Sequence, residues 1–317
     1  MADFRQPRIP SGGRDDLRVD LSRCLRMRFS ESSCRRCADS CPHQAVNLDG
    51  ILSINPRHCT GCLICSAVCP VGALEHAGDF SASLARLARV PETLLGCIRT
   101  RECSHATISC LGGLSEEHLV ALSHSLSGTM TLNLSACADC PNRAMIPRLR
   151  RRLDAIAEAG LSEGGCRIVL AESALDVRYR AESVDRRGFF TSFRNSLFRS
   201  AAIILSPANE QVELRAEYAG KRLPARRELL NRTRKRLSPE LQLRLGRHFD
   251  SRVSIDDGCT GCQGCVAICP TGALRAGLSD QTPTFDRLLC TSCGLCGEFC
   301  LDGALRISAE KSGAGAD

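Results

Sequence analysis

Cysteine thiolates are the residues most able to do chemistry in this chain, which carries 22 cysteines in 317 residues but no tryptophan and only two tyrosines. Sixteen fall into four runs: Cys24, Cys34, Cys37, Cys41; Cys59, Cys62, Cys65, Cys69; Cys259, Cys262, Cys265, Cys269; and Cys290, Cys293, Cys296, Cys300. The spacing C-x-x-C-x-x-C lets one tight loop present three thiolates to one iron-sulfur cubane. Gly61 and Gly264 are expected to relieve crowding where the backbone nears inorganic sulfide. The fourth cysteine of each run, after three intervening residues, points elsewhere. Structural zinc fits poorly, because zinc sites show paired C-x-x-C knuckles rather than four such runs.

An internal repeat supports this grouping. CTGCLICSAVCPVGAL from Cys59 and CTGCQGCVAICPTGAL from Cys259 share one frame, and each follows a short alternating stretch, Ile51 to Ile54 and Val253 to Ile255, that reads as a strand. Residues 18–76 and 250–308 resemble bacterial two-cluster ferredoxins, in which the fourth cysteine ligates the other cluster. The resemblance implies crosswise ligation. One N-terminal cluster would take Cys24, Cys34, Cys37 and Cys69, and the other Cys59, Cys62, Cys65 and Cys41. The C-terminal pair would take Cys259, Cys262, Cys265, Cys300 and Cys290, Cys293, Cys296, Cys269. Two features depart from the family pattern. The loop LRMRFSESS separates Cys24 from Cys34, so it must fold back, and Leu301 follows Cys300 where proline is usual.

Between the two repeats, Thr93 to Cys97, Ala106 to Cys110, Thr129 to Ser135 and Cys166 to Ala171 read as strands. Ser115 caps a helix through HLVALSHSL, and Arg143 to Gly160 reads as a second helix ending at glycine. Strands alternating with helices predict a parallel, Rossmann-like α/β sheet. Cys97, Cys110, Cys137 and Cys140 then lie at or just beyond the carboxyl ends of strands, the edge where such sheets hold ligands. We expect a fifth iron-sulfur cluster there, with Cys103 as a substitute ligand. Bare buried thiols, a Cys137/Cys140 dithiol and zinc are the alternatives. Residues 93–145 also resemble the iron-sulfur delta subunit of methyl-viologen-reducing hydrogenase, through LLGC, ISCLGGLSEEHLVAL and LNLSACADCPN. Cys166 reads as an ordinary core cysteine.

From Arg186 to Arg252 there are 16 Lys and Arg against six Asp and Glu, although the whole chain is only +7. This stretch holds RRGFFTSFRNSLFRS and the basic helix LPARRELLNRTRKRL, which suit docking to an acidic partner, an anionic membrane surface or nucleic acid, or else a solvated face. RRGFF sits mid-chain, where a twin-arginine signal cannot act. Oxidised cubanes carry about −2 each, so the holoprotein would be near neutral, which weakens a nucleic-acid reading. His43 and His58 flank cluster motifs and are candidates for tuning a potential, whereas His105, His118, His124 and His248 show no ligand spacing. Arg23, Arg26, Arg28, Arg35 and Arg36 surround the first cluster, as a charge source or a docking rim.

The elements that must position these residues form an α+β protein. Two ferredoxin-like dicluster modules, 1–78 and 251–317, flank a central α/β domain at 79–185 and a basic connector at 186–250. The expected function is a polyferredoxin-type electron-transfer subunit with four 4Fe-4S clusters and a fifth iron-sulfur cluster. Its partners would be a catalytic oxidoreductase subunit (a molybdenum or tungsten enzyme, a hydrogenase or a flavoprotein) or a soluble electron carrier, without nucleic acid or a peripheral membrane contact. The alternatives are an enzyme reducing a disulfide at Cys137/Cys140, and an iron-sulfur assembly or nucleic-acid-binding protein. No stretch reaches the roughly 18 apolar residues of a membrane span, and the cysteine usage predicts a reducing, cytoplasmic compartment. Anaerobically prepared protein should carry at least about sixteen irons. About eight irons with stoichiometric zinc would contradict the cubane assignment.

Overall fold

One-turn helices do not persist on propensity alone, and the cysteine segments contain several of them, so the surrounding strands and core must hold them in place. The computed structural model describes residues 15–179, 221–277 and 282–309. In the N-terminal module β1 (Leu17–Val19), α1 (Leu25–Arg28), α2 (Arg36–Asp39), β2 (Val46–Asn47), β3 (Ser53–Ile54), α3 (Ile64–Val68) and β4 (Leu74–His76) follow in order. The first and last strands pair antiparallel, Leu17 opposite His76, and enclose the β2–β3 pair. The helices are pinned by Leu25, Ile64, Val71 and Leu74, all at most 2% exposed.

The central residues form α4 (Phe80–Leu87), β5 (Thr93–Cys97), β6 (Ala106–Ile108), α5 (Glu116–Ser125), β7 (Thr129–Asn133), α6 (Ile146–Glu158) and β8 (Arg167–Ala171). The four strands make one parallel sheet in the order β6-β5-β7-β8. The hydroxyl of Ser115 accepts from the His118 amide at the start of α5, and α6 ends before Gly160, whose φ is +64°. Between β5 and β6 runs only a 3₁₀ stretch, Ile98–Cys103, so the first crossover lacks an α-helix. Leu95, Leu119, Leu122, Met130 and Leu132 fill a core that is continuous with that of the N-terminal module.

The later residues give α7 (Ala225–Arg234), α8 (Pro239–Phe249), β9 (Ser251–Ile255), α9 (Gly264–Ile268), β10 (Leu274–Arg275), β11 (Thr284–Phe285), α10 (Leu295–Phe299) and β12 (Leu305–Ala309). The strands repeat the nested plan of the N-terminal module: β9 pairs with β12 around the β10–β11 pair. RRGFFTSFRNSLFRS lies outside the described residues. Among the described residues, no helix is long and apolar enough to cross a membrane.

The basic helix forms as α7, but it is neither a docking face nor a solvated one along its whole length. Arg226, Arg227 and Arg234 are buried. Arg234 makes a bidentate pair with Asp250, at 2.8 and 2.7 Å, and Arg227 approaches the same carboxylate at 3.5 Å. Arg226 pairs with Glu117 of α5 at 3.3 Å. Burial opposes ionisation of Glu117, yet the Arg226 guanidinium and the Ser115 hydroxyl hold its carboxyl down at about 2. A buried pair adds little net stability, but breaking one leaves a charge uncompensated. Asp250→Ala should therefore cost about 3–5 kcal/mol in the denaturation of anaerobic holoprotein. A loss within the roughly 1 kcal/mol of a surface pair would mean that solvent compensates the arginines.

Candidate cluster sites

Three of the four cysteine loops share one backbone solution. In each, the residues at the second and fourth positions after the first cysteine take positive φ: Gly61 (+70°) and Leu63 (+58°), Gly261 (+70°) and Gln263 (+58°), and Ser292 (+53°) and Gly294 (+88°). Such alternation folds a loop concave and turns amides inward, as in an anion-binding nest. In the N-terminal copy Gly61 takes the first positive φ of the loop. In the C-terminal copy that role falls to Gly261, whereas Gly264 allows the close approach of the Phe299 ring.

The cysteines gather into four cavities. One is lined by Cys24, Cys34, Cys37 and Cys69, and its neighbour by Cys41, Cys59, Cys62 and Cys65. In the C-terminal module one is lined by Cys269, Cys290, Cys293 and Cys296, the other by Cys259, Cys262, Cys265 and Cys300. Each cavity thus combines three cysteines of one motif with the last cysteine of the other. The short helices explain the exchange. Cys69, Cys269 and Cys300 are the C-caps of α3, α9 and α10, one turn beyond the third cysteine of their own motif and turned towards the paired one. The loop after Cys24 folds back through α1 and is closed by the Arg26 guanidinium on the Ser32 carbonyl at 3.1 Å.

Crowding shows in the thiols. Cys37 is pushed up to about 12 by burial and by Cys69, Cys24 and Cys34. Cys293 is likewise pushed up to about 12, by burial and by Cys269 and Cys290 among its neighbours. Quartets like these ionise together only around cationic metal, which is how iron-sulfur sites assemble. Among the described residues, no three His, Cys, Asp or Glu side chains gather tightly enough for a single metal ion. Two cavities also hold polar atoms suited to a sulfur acceptor. His43 Nε2 and Thr60 Oγ1 at the Cys41 cavity and Thr291 Oγ1 at the Cys290 cavity are buried without a protein partner. Their residues fit a bound cubane.

Alanines provide a signal that the cysteine spacing did not reveal. Ala45, Ala73, Ala273 and Ala304 each lie four residues after the last cysteine of a motif, and each is 2% exposed or less. The amides of Ala45 and Ala73 donate to Cys41 Sγ at 3.3 Å and Cys69 Sγ at 3.2 Å. The repeated cysteine-to-alanine interval in the sequence is the trace of this contact. Amide donors to thiolate sulfur shift a cluster's potential.

The central cysteines also meet. Cys97 ends β5, Cys110 lies two residues past β6, and Cys137 and Cys140 follow β7. The Cys137 thiol is pushed up to about 11 by burial and by the neighbouring Cys97 and Cys140, and Cys110 to about 12 by burial and by Cys62, Cys97 and Cys137 among its neighbours. Arg99 reaches Cys140 and the Asp139 carbonyl, the latter at 3.4 Å. Asn142 Nδ2 spans the Thr60 carbonyl at 3.2 Å and Cys110 Sγ at 3.9 Å, and a Cβ on Gly112 would collide with the Cys62 carbonyl. The central site therefore abuts the Cys59 motif. Cys103 is exposed and contributes its carbonyl to Asn133, whereas Cys166 is buried and donates to the Leu122 carbonyl at 3.7 Å.

Other candidates separate by contact. His43 lines a cluster cavity, while His58 is exposed. His105 accepts from the Leu94 amide, His118 belongs to the α5 cap, His124 meets the Leu161 carbonyl and His248 meets Glu116. The loop arginines do not make a uniform docking rim. Arg23 is buried beside Glu75, Arg28 donates to the Ile268 carbonyl at 3.2 Å and Arg36 to the Ser292 carbonyl at 3.3 Å, so Arg28 and Arg36 face the C-terminal module.

The family described as 4Fe-4S dicluster domain matches residues 32–73, and a second family of that description matches residues 258–305. No curated protein and no solved structure matches the chain. Neither family match reaches residues 93–145, and nothing in them supports a likeness of that stretch to a hydrogenase delta subunit. Two 4Fe-4S dicluster domains, one towards each end of the chain, give the protein an iron-sulfur electron-transfer role.

Proposed function

We propose that this chain is a polyferredoxin-type subunit that passes single electrons to or from a catalytic oxidoreductase partner or a soluble carrier. The observation that carries this reading is the crosswise cavity. In all four, three cysteines of one motif are completed by the last cysteine of its partner. The sixteen cysteines would hold four cubanes in those quartets, and Cys97, Cys110, Cys137 and Cys140 would hold a fifth cluster. When bound, such clusters take up and release one electron at a time without making or breaking a substrate bond. The chain's own part is to bury the ligands, fix their backbone and place amide and guanidinium groups around them.

For the central site, the contacts favour a cluster over a reactive dithiol. A nucleophilic C-x-x-C pair needs a lowered thiol. Here Cys137 is pushed up, and two further cysteines stand beside the pair. Neither nucleotide loop nor base-nucleophile pair was legible in the sequence, so substrate turnover is assigned to the partner.

Cys140→Ser should remove the iron of the fifth cluster, about two or four irons by its type, from the full-length chain, while Cys103→Ser and Cys166→Ser leave iron content unchanged. Full iron content in the Cys140 variant, with rapid alkylation of Cys137, would replace the fifth cluster by a dithiol. Crosswise ligation has a separate signature. Cys69→Ala should perturb the electron-paramagnetic signal of the cluster held by Cys24, Cys34 and Cys37, although Cys69 belongs to the Cys59 motif. Loss confined to the Cys59, Cys62, Cys65 cluster would reverse the ligand map.

A further inference from the structure

Two adjacent arginines of α7 reach in different directions to the two modules. Arg226 donates to the carbonyls of Ser66, at 3.0 Å, and of Cys69, a cysteine of the inner N-terminal quartet. Arg227 donates to the carbonyl of Cys290, at 2.8 Å, a cysteine of the quartet with Cys269, Cys293 and Cys296. Those two quartets face each other across the module junction. Arg36 lines the first cavity and donates to the Ser292 carbonyl, beside the second, and Arg28 donates to the carbonyl of Ile268, next to Cys269.

The charge around this junction differs from that around the outer quartets. Arg226 pairs with Glu117, while Arg227 and Arg234 share the single carboxylate of Asp250, so three buried arginines face two carboxylates and a net positive charge remains. Arg36 adds a second. Among the described lining residues, the Cys269, Cys290, Cys293, Cys296 cavity has no Lys, Arg, Asp or Glu and the Cys24, Cys34, Cys37, Cys69 cavity has Arg36 and no carboxylate, whereas the Cys259, Cys262, Cys265, Cys300 cavity has Asp302 and neither Lys nor Arg. At the Cys41, Cys59, Cys62, Cys65 cavity it contains Asp16 and His43, again without Lys or Arg. Reduction adds one negative charge to a site that is already about −2, and buried cations stabilise that added charge far more than solvated ones.

From this contrast, and resting on the cluster assignment above, we infer that Arg226 and Arg227 set the potentials of the two facing quartets. They hold both above the potentials of the outer quartets, so the module junction is the more readily reduced part of the two dicluster modules. The two arginines are positioning residues. They act through the carbonyls of Cys69 and Cys290 and through their own charge, and neither touches a thiolate sulfur in the contacts above.

The test is a redox titration of full-length anaerobic holoprotein with dithionite, followed by electron paramagnetic resonance, with iron content measured in parallel. Arg227→Gln should make the Cys269/Cys290/Cys293/Cys296 site about tenfold harder to reduce, a downward shift of about 59 mV for one electron. Arg226→Gln should do the same to the Cys24/Cys34/Cys37/Cys69 site. Arg227→Lys should recover part of the shift, because it restores charge without the fork. Both outer sites should keep their potentials. Arg36→Gln removes an exposed side chain at the same junction, so it reads out the charge effect even where the buried variants fail to fold. Unchanged potentials in iron-replete variants, or equal shifts at inner and outer sites, would overturn the inference. Low iron in the unsubstituted protein would instead overturn the cluster assignment.

Discussion

Four thiols that share one buried cavity cannot all ionise without a cation among them, and that constraint organises most of this molecule. Burial and mutual crowding push Cys37, Cys110, Cys137 and Cys293 well above an ordinary thiol. A cationic metal core removes the penalty, so binding and folding are one equilibrium for these modules. The elements around the quartets are too short to be stable otherwise. Helices of four or five residues and strand pairs of two to five residues are arranged around the cavities, with loops bent through positive φ.

The crosswise completion of each quartet follows from the same economy of length. The third and fourth cysteines of each motif line different cavities. Each motif must lend its last cysteine to its partner, and this ties the two motifs of a module into one unit. The nested strand plan, an outer pair closing around an inner pair, repeats in both modules because it brings two such motifs face to face. The central sheet uses a different device. Its cysteines come from the carboxyl ends of three parallel strands, and tight packing of Gly112 against the Cys62 carbonyl sets them beside the N-terminal module.

Helix α7 joins these parts through charge held away from water. Buried arginines are tolerated because Glu117 and Asp250 are buried with them, and because main-chain carbonyls of Ser66, Cys69, Phe249 and Cys290 take up further donors. A hydrophobic seam would close the same junction without placing positive charge beside the inner quartets.

The sequence by itself determined the four cysteine motifs, the two repeats, the four central strands and the caps at Ser115 and Gly160. Each of these rests on local spacing: a motif period, a strand length, or a residue whose side chain or φ suits one backbone position. Convergence of Cys97, Cys110, Cys137 and Cys140 was legible only through the inferred sheet, because their separations along the chain carry no ligand period. The fate of the basic stretch was not legible at all. Arg226 and Arg234 read as surface charge in composition, and only the tertiary structure decided otherwise. Their carboxylate partners lie 109 and 16 residues away, and a charge becomes an internal clasp only when folding brings such a partner into the same dry cavity.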